Sequence, residues 1–281
     1  MHRQAPSPPM AGQLQDLARQ WLAQGMPPGQ VLGQLEAAGL PAAGASALVR
    51  ALLTGRGQAA AVDAAPASFW PAAFPFADRH EASHDGHPVR LLARLEAPAV
   101  ALLDNVLDAG ECEALIAAAR PRLSPSRVVD PHSQEHRRDQ ARTSAGVGLD
   151  PAALPWLPRL QARLCWLMGC EVSHAERLQV LHYRAGGRYE AHHDYFERPA
   201  ADGGQRLATL VVYLEAVQAG GQTGFPQPGL SLSPARGMGV YFAYGNALGQ
   251  LDPRSLHAGQ PVAGGEKWIV TQWVRDRPVL A

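Results

Sequence analysis

The chain has few cysteines, no long apolar run and no excess of either charge. Its three cysteines, Cys112, Cys165 and Cys170, are odd in number and lack CxxC spacing, which argues against a disulfide framework or a zinc knuckle. No stretch reaches the roughly 18 uninterrupted apolar residues of a membrane span, and the N-terminus lacks the apolar core of a secretory signal. With 25 basic and 25 acidic residues, there is no broad basic surface to gather nucleic acid. We therefore expect a cytoplasmic protein that binds neither membranes nor nucleic acid.

The composition divides the chain into four segments. Residues 1–12 predict a disordered N-terminus, and residues 13–55 carry the helical spacing of leucines that predicts a small all-α domain of three short helices. Residues 56–95 are rich in Ala and Pro and predict an extended linker, although their aromatic residues suggest that the segment lies against a surface. Residues 96–281 predict the main domain. Packing on that domain is the simplest role for the N-terminal helices, while partner binding and self-association stay open.

The main domain alternates predicted helices with apolar strand-like runs. Two helices are expected before the first of these runs, over Ala109–Arg120 and Ala152–Met168. The strand-like runs are Arg177–Tyr183, Arg206–Val217, Gly239–Tyr244 and Lys267–Arg275.

The most informative segment is YRAGGRYEAHHDYF, Tyr183–Phe196, taken together with SLHAG, Ser255–Gly259. In an extended strand, side chains two apart share a face, so His192 and Asp194 can reach one ion while His193 points away. If His257 lies opposite, two imidazoles and one carboxylate hold one face of a metal and leave the other open. That ligand set is typical of non-heme Fe(II) oxygenases.

A lysine sharpens this interpretation. Lys267 lies ten residues after His257, at the start of the last strand-like run. A cationic side chain there can bind the far carboxylate of a dicarboxylic acid through a charge-assisted hydrogen bond. The joint spacing therefore points to 2-oxoglutarate as a cosubstrate.

From about residue 98 to its end, the chain resembles the prolyl 4-hydroxylase type of Fe(II)/2-oxoglutarate-dependent dioxygenases. It departs from the family at Gln222, where glutamate is more frequent, and at Gly224, where a bulkier residue is common. The residues that carry the resemblance are Glu176 with LQVLHY, Tyr183, Gly187, Tyr189, His192, Asp194 with Tyr195-Phe196, Arg206, Thr209, Tyr213-Leu214, GGQTGFP from Gly220, SPARG from Ser233 and SLHAGQPVAGGEKWIVTQWVR from Ser255.

The resemblance implies an α+β fold, in which a double-stranded β-helix, or jelly roll, carries packed helices. It implies that His192, Asp194 and His257 bind iron and that Lys267 binds 2-oxoglutarate. Four further cosubstrate contacts are implied or are weaker candidates: Tyr183, Thr223, Thr271 and Trp273. Four other residues are candidates for contacting the substrate or orienting the metal ligands: Gln179, Arg206, Arg142 and Tyr189.

The implied reaction consumes Fe(II)-bound 2-oxoglutarate and dioxygen, releases succinate and carbon dioxide, and uses ascorbate as a reductant. The resemblance favours a prolyl residue of a peptide or protein as the substrate. A hydroxylase of a free amino acid or small metabolite stays open, as does a non-catalytic jelly roll that serves as an interaction scaffold. A nucleic-acid dealkylase is disfavoured by the near-neutral charge and by lysine rather than arginine at the cosubstrate position.

Overall fold

The structure of the protein is a computed structural model in which the chain forms two compact units. One unit is Met1–Phe69 with Asn246–Gln250, and the other is Trp70–Gly245 with Leu251–Ala281. The described residues are 11–24, 26–38, 40, 45, 48–49, 52, 68–126, 128–129, 136–137, 141–197 and 204–279.

The smaller unit begins with two helices, α1 (Ala11–Ala23) and α2 (Pro28–Ala37). Proline suits the first helical position of α2 because its φ angle is preset and its missing N–H would have no partner there. Each helix buries apolar residues one turn apart, and the resulting core contains Leu14, Ala18, Val31 and Leu35. The first two predicted helices are therefore confirmed.

Parts of the predicted N-terminal segments lie outside the described residues. Ala45, Leu48, Val49 and Leu52 are helical at the position of the third predicted helix, whose other residues are not described. Residues 1–10 of the predicted disordered terminus and 56–67 of the predicted linker are likewise outside the described part, and α1 already begins at Ala11.

Among its described residues, the larger unit contains two further α-helices and the strands. The helices are α3 (Ala109–Ala119) and α4 (Leu157–Leu167), and 3₁₀ turns occupy Arg120–Arg122, Val172–His174 and Pro253–Ser255. The strands are β1 (Glu81–His84), β2 (His87–Leu95), β3 (Ala99–Asp104), β4 (Ser124–Pro125), β5 (Val128–Val129), β6 (His136–Arg137), β7 (Ala145–Gly148), β8 (Gln179–Tyr183), β9 (Tyr189–His192), β10 (Arg206–Tyr213), β11 (Ala219–Gly220), β12 (Thr223–Phe225), β13 (Leu230–Leu232), β14 (Gly239–Ala243), β15 (His257–Gly259), β16 (Val262–Gly264) and β17 (Lys267–Arg275).

The strands build a jelly roll from two principal antiparallel sheets. The larger sheet has the order β1-β2-β3-β14-β10-β17-β8-β7-β4, and the smaller one has the order β13-β12-β15-β9. Side chains from both sheets share one buried cluster, which includes Tyr213 and Ile269 from the larger sheet and Phe225 and Leu232 from the smaller one. The predicted α+β fold with a jelly-roll core is therefore confirmed.

The starting points of the two main helices have local causes. Helix α3 starts after Asp108, whose side chain accepts a hydrogen bond from the Glu111 N–H while the Glu111 carboxylate accepts one from the Asp108 N–H. Helix α4 starts at Leu157, five residues later than predicted. The reason is local, because the Asp150 carboxylate accepts a hydrogen bond from the Ala152 N–H and holds this segment in turns.

The end of the predicted linker is structured. Residues 81–95 form the hairpin β1–β2 instead of an extended linker, and β2 pairs with β3 in the main sheet. Asp85 and Gly86 form the turn with φ angles of 51° and 78°, which suits a tight two-residue hairpin loop. The alanine and proline content concealed this turn signal.

The aromatic residues before this hairpin cover the outside of β14. Phe74 stacks on Tyr241 with ring centroids 5.3 Å apart, and Trp70 lies 5.8 Å from the same ring. Val240 and Phe242, on the opposite face of β14, point into the jelly-roll core. Both faces of this strand are apolar in the sequence because each one is covered.

Candidate metal centre and cosubstrate pocket

Strand register brings together two histidines that are far apart in the chain. Strands β9 and β15 pair antiparallel, with His192 directly opposite His257, and the two ring centroids lie 4.3 Å apart. Directly opposed residues in an antiparallel pair have neighbouring side chains. Pairing within the smaller sheet therefore places His257 opposite His192, which is the arrangement that the predicted metal site requires.

Backbone carbonyls fix the tautomer of both rings. His192 Nδ1 lies 2.8 Å from the Glu190 carbonyl oxygen, and His257 Nδ1 lies 3.0 Å from that of Ser255. A carbonyl only accepts, so each Nδ1 donates its proton and Nε2 is the ring nitrogen left for a metal. Both imidazoles are thereby prepared to bind a metal through Nε2.

Asp194 completes the cluster, although not by continuing the strand. Strand β9 ends at His192, and Asp194 follows in a bend, so the predicted strand geometry holds only up to the first ligand. The Asp194 carboxylate oxygens lie 3.5 Å from His192 Nε2 and 3.7 Å from His257 Nε2. His193 turns away, as predicted, and its Nε2 lies 3.0 Å from the Pro253 carbonyl oxygen.

The cluster has the charge state that a divalent cation needs. Burial, followed by the nearby His192, lowers the pKa of His257 to about 4, so this imidazole is neutral at pH 7. Burial raises the pKa of Asp194, but His257 and His192 outweigh it and hold this pKa well below its usual range. Two imidazoles and one carboxylate, with one ligand atom from each residue lying within 4.8 Å of the others, match the donor set and spacing of a mononuclear Fe(II) site.

Strand alternation lines the adjacent pocket. Lys267, Ile269, Thr271 and Trp273 occupy alternate positions of β17, and all four face the pocket that also contains the His192, Asp194 and His257 cluster. The neighbouring strand β8 contributes Tyr183, which is directly opposite Lys267. All five predicted cosubstrate residues, including Thr223, line this pocket.

Lys267 is a buried cation without a described counterion. Its residue surface is 4% exposed, and its Nζ lies 5.7 and 5.6 Å from the ring centres of Tyr183 and Tyr213. Burial lowers its pKa to about 8, and no carboxylate among the described residues lies within ion-pair distance. Since an unpaired buried charge is costly, this ammonium group fits the carboxylate of a bound ligand.

Two other groups on the pocket wall are ready to bind a ligand. The Tyr213 hydroxyl donates to Thr223 Oγ1 over 2.7 Å, which leaves the Thr223 proton to be donated elsewhere. Trp273 Nε1 is buried and has no hydrogen-bond partner among the described residues. Both are donors, so the pocket suits a ligand with acceptor oxygens.

The remaining predicted residues form the surroundings of this pocket. Arg142 lies over the Tyr189 ring at 4.8 Å, both line the pocket, and the Arg142 guanidinium donates to Gln179 Oε1 over 3.3 Å. Gln179 therefore contacts Arg142 and has no described bond to a metal ligand.

Arg206 lies behind the wall and makes a two-pronged ion pair with Glu176, with N–O distances of 2.7 and 2.8 Å. Arg275 donates to the same carboxylate, and the Arg206 guanidinium stacks 4.2 Å from the Trp273 ring. This half-buried group of charges supports the wall from outside, and Arg206 also reaches the Asp194 carbonyl oxygen at 3.4 Å.

Sequence reasoning gave no role to several residues that the structure places here. Thr209 donates to Asp194 Oδ2, Tyr244 contacts Thr209, and Tyr213 contacts Thr223. The signal for Thr209 was present, since it is the only polar residue between Leu207 and Tyr213 in an apolar strand.

A second group of potential ligands, His87, Asp108 and Glu111, lies outside the barrel. Both carboxylates cap the start of α3, Glu111 also pairs with Arg163 over 2.5 Å, and His87 contacts the Asn105 carbonyl oxygen. These side chains already have structural partners, so helix capping explains the group.

Comparison with known proteins gives a consistent result. The family described as the 2OG-Fe(II) oxygenase superfamily matches residues 178–275. Probable prolyl 4-hydroxylase 3 of Arabidopsis thaliana is 36% identical over 198 residues, which cover 63% of this chain and 69% of the relative. Prolyl 4-hydroxylase 1 of the same plant is 36% identical over 197 residues, covering 64% and 70%.

A solved structure agrees with these relatives. The viral collagen prolyl hydroxylase of Paramecium Bursaria Chlorella virus-1, in complex with 2OG, has a TM-score of 0.51 and 30% sequence identity. The alignment covers 63% of this chain and 95% of the viral chain.

A helix that spans a membrane must be both long and apolar. No helix in the described part of the chain meets both requirements.

Proposed function

Because this chain belongs to the prolyl 4-hydroxylase type of the 2OG-Fe(II) oxygenase superfamily, we propose that it hydroxylates a prolyl residue of a peptide or protein. The observation that carries the proposal is one pocket lined by both the three candidate metal ligands and the buried Lys267. The reaction uses Fe(II), 2-oxoglutarate and dioxygen and releases succinate and carbon dioxide. Ascorbate as the reductant and a cytoplasmic location belong to the same proposal.

The protein's main task is to hold and position the reactants. We assign His192, Asp194 and His257 to Fe(II), which with 2-oxoglutarate and dioxygen supplies the oxidising power to hydroxylate an unactivated carbon. Lys267 binds the far carboxylate of 2-oxoglutarate, and the Thr223 hydroxyl donates a second hydrogen bond to it. Ile269 and other apolar residues also line the pocket, and an apolar lining strengthens both electrostatic contacts.

The substrate side of the pocket suits a prolyl residue within a peptide. Trp273 Nε1 is a buried donor without a described partner, and the Arg142 guanidinium is a second donor in the pocket lining. Peptide carbonyls are acceptors that both groups can bind, and the Tyr189 ring offers an apolar surface for a pyrrolidine ring. The names of the relatives give the same substrate class.

The test is turnover of defined peptides under air with Fe(II), 2-oxoglutarate and ascorbate. Proline-containing peptides are compared with matched peptides that carry alanine at the same position. We expect one succinate per peptide made heavier by one oxygen atom, with the added oxygen on proline, and no product from the alanine peptides. The His257→Ala and Asp194→Ala variants, folded as shown by circular dichroism, should give neither product.

The alternatives predict different results. Oxygen addition to free proline or another small metabolite, with peptides unchanged, would support a small-molecule hydroxylase instead. A wild-type protein that is fully loaded with Fe(II), yet shows no visible charge-transfer band with 2-oxoglutarate and releases no succinate in air, would support a non-catalytic scaffold.

A further inference from the structure

Asp194 is held from behind by two buried hydroxyl groups. Thr209 Oγ1 donates to Asp194 Oδ2 over 2.7 Å, and the Tyr244 hydroxyl lies 3.0 Å from the same Thr209 oxygen. Thr209 and Tyr244 are both completely buried. They come from neighbouring parts of the large sheet, since Thr209 lies in β10 and Tyr244 directly follows β14.

The direction of both hydrogen bonds follows from proton counting. A carboxylate only accepts, so the single Thr209 proton is used toward Asp194. The Thr209 oxygen must then accept the proton of Tyr244, and burial together with the Asp194 charge raises the pKa of Tyr244, which keeps it a neutral donor. The series of hydrogen bonds therefore runs from Tyr244 through Thr209 to Asp194, and each bond polarises the next.

The Thr209 hydroxyl donates its hydrogen bond to only one of the two Asp194 carboxylate oxygens. Oδ2 receives the Thr209 proton and lies 3.7 Å from His257 Nε2, whereas Oδ1 has no hydrogen-bond donor among the described hydroxyl groups and lies 3.5 Å from His192 Nε2. Because Asp194 stands in a bend after the end of β9, no strand pairing fixes its side chain. Some other contact must set the carboxylate rotation, and Thr209 makes it.

We propose that Thr209, itself fixed by Tyr244, is a positioning residue that turns Asp194 Oδ1 toward the metal and makes this ligand monodentate. The inference rests on the proposed Fe(II) site. A carboxylate that binds through one oxygen leaves one more position of the metal for 2-oxoglutarate and dioxygen than a carboxylate that binds through both. The hydroxyl pair would then help to keep the opposite face of the metal open.

The experiment compares Thr209→Val, which has nearly the same shape but no hydroxyl, with Thr209→Ser, which keeps it. Fe(II) affinity is measured anaerobically by calorimetry, and the visible spectrum of the Co(II)-loaded protein reports coordination number. We expect Thr209→Val to weaken Fe(II) binding about 10- to 100-fold and to change the Co(II) spectrum. Thr209→Ser should restore both to within a few-fold of wild type.

A purely structural role predicts another outcome. The unfolding temperature of the metal-free protein is measured for each variant, and a Thr209→Val protein that is less stable but binds Fe(II) like wild type would overturn the proposal. If Thr209→Val does not fold, Tyr244→Phe decides, since it leaves the Thr209 hydroxyl in place but removes its donor. We expect a several-fold loss of Fe(II) affinity there, and wild-type affinity would overturn the proposal.

The wild-type protein separates this inference from the proposed function. If wild type binds no Fe(II), the proposed function fails. If wild type binds Fe(II) and turns over 2-oxoglutarate while Thr209→Val binds Fe(II) equally well, only the role of Thr209 fails.

Discussion

Replacing Lys267 by methionine should destroy the cosubstrate site and at the same time stabilise the metal-free fold. Methionine has a similar length and no charge, so it removes the cost of burying an ammonium group with little change in packing. Lys267 is 4% exposed, and burial lowers its pKa from 10.5 to about 8. Burying this charge therefore lowers the stability of the folded protein as long as no ligand carboxylate is bound.

The size of the effect follows from the two pKa values. Each pKa unit corresponds to about 1.4 kcal/mol, so the shift represents about 3 kcal/mol at pH 7. The rings of Tyr183 and Tyr213 near Nζ offset about 0.5–1 kcal/mol each. We expect Lys267→Met to increase the free energy of unfolding by about 2 kcal/mol, which raises the unfolding temperature by about 4–8 °C.

The pH dependence gives an independent check of the sign. Between pH 8 and 10.5 the unfolded chain holds a proton on Lys267 that the folded chain lacks, so the lysine protein gains stability as pH rises. Below pH 8 both states are protonated and the full cost remains. The stability difference between variant and wild type should therefore narrow by about 1 kcal/mol from pH 7 to pH 9.

The assay is urea unfolding of metal-free wild type and Lys267→Met at several pH values. Because the chain has no other lysine, reductive ¹³C-methylation and NMR can follow the titration of this amine directly, apart from the N-terminal amine. With Fe(II) present, 2-oxoglutarate should raise the unfolding temperature of wild type only. A variant no more stable than wild type at pH 7, or a difference that stays constant to pH 9, would refute the reasoning.

Two further predictions concern Lys267 and the charged group of Glu176, Arg206 and Arg275 behind the pocket wall. The affinity for 2-oxoglutarate should fall as pH rises through about 8, because Lys267 loses its proton, whereas Lys267→Arg should keep a flat profile; a wild-type affinity constant from pH 7 to 9 would contradict this. Glu176→Gln removes the carboxylate shared by Arg206 and Arg275 and should cost about 3 kcal/mol in urea unfolding. Burial raises the pKa of Glu176, but the two guanidinium groups outweigh burial and lower this pKa. The stability that the Glu176 carboxylate contributes is therefore present above the usual glutamate pKa and disappears in acid. Equal acid sensitivity of wild type and Glu176→Gln would count against this role.

The sequence predicted the chemistry of the site better than its geometry. His192, His257 and Lys267 could be singled out because ligand types and strand periodicity are both visible in one dimension. Strand β17 (Lys267–Arg275) has the bounds that its apolar run predicted. The roles of these residues in binding Fe(II) and 2-oxoglutarate stay predictions that the experiments above test.

The sequence failed where composition concealed a local turn or where contacts are distant. The Ala/Pro-rich composition predicted a linker up to residue 95, but Asp85-Gly86 closes a hairpin that joins the main sheet. Strand β14 could not be oriented, because the aromatic residues that cover its outer face precede it by more than a hundred residues.

By itself, the order of residues determined which groups are available. These are two imidazoles, one carboxylate and a single lysine at the start of a strand-like run. The tertiary structure decided how these groups are used. Antiparallel pairing of β9 with β15 puts His257 opposite His192, and the approach of Thr209 and Tyr244 orients Asp194. Pairing partners and hydrogen-bond directions depend on which strands become neighbours, and local sequence does not carry that information.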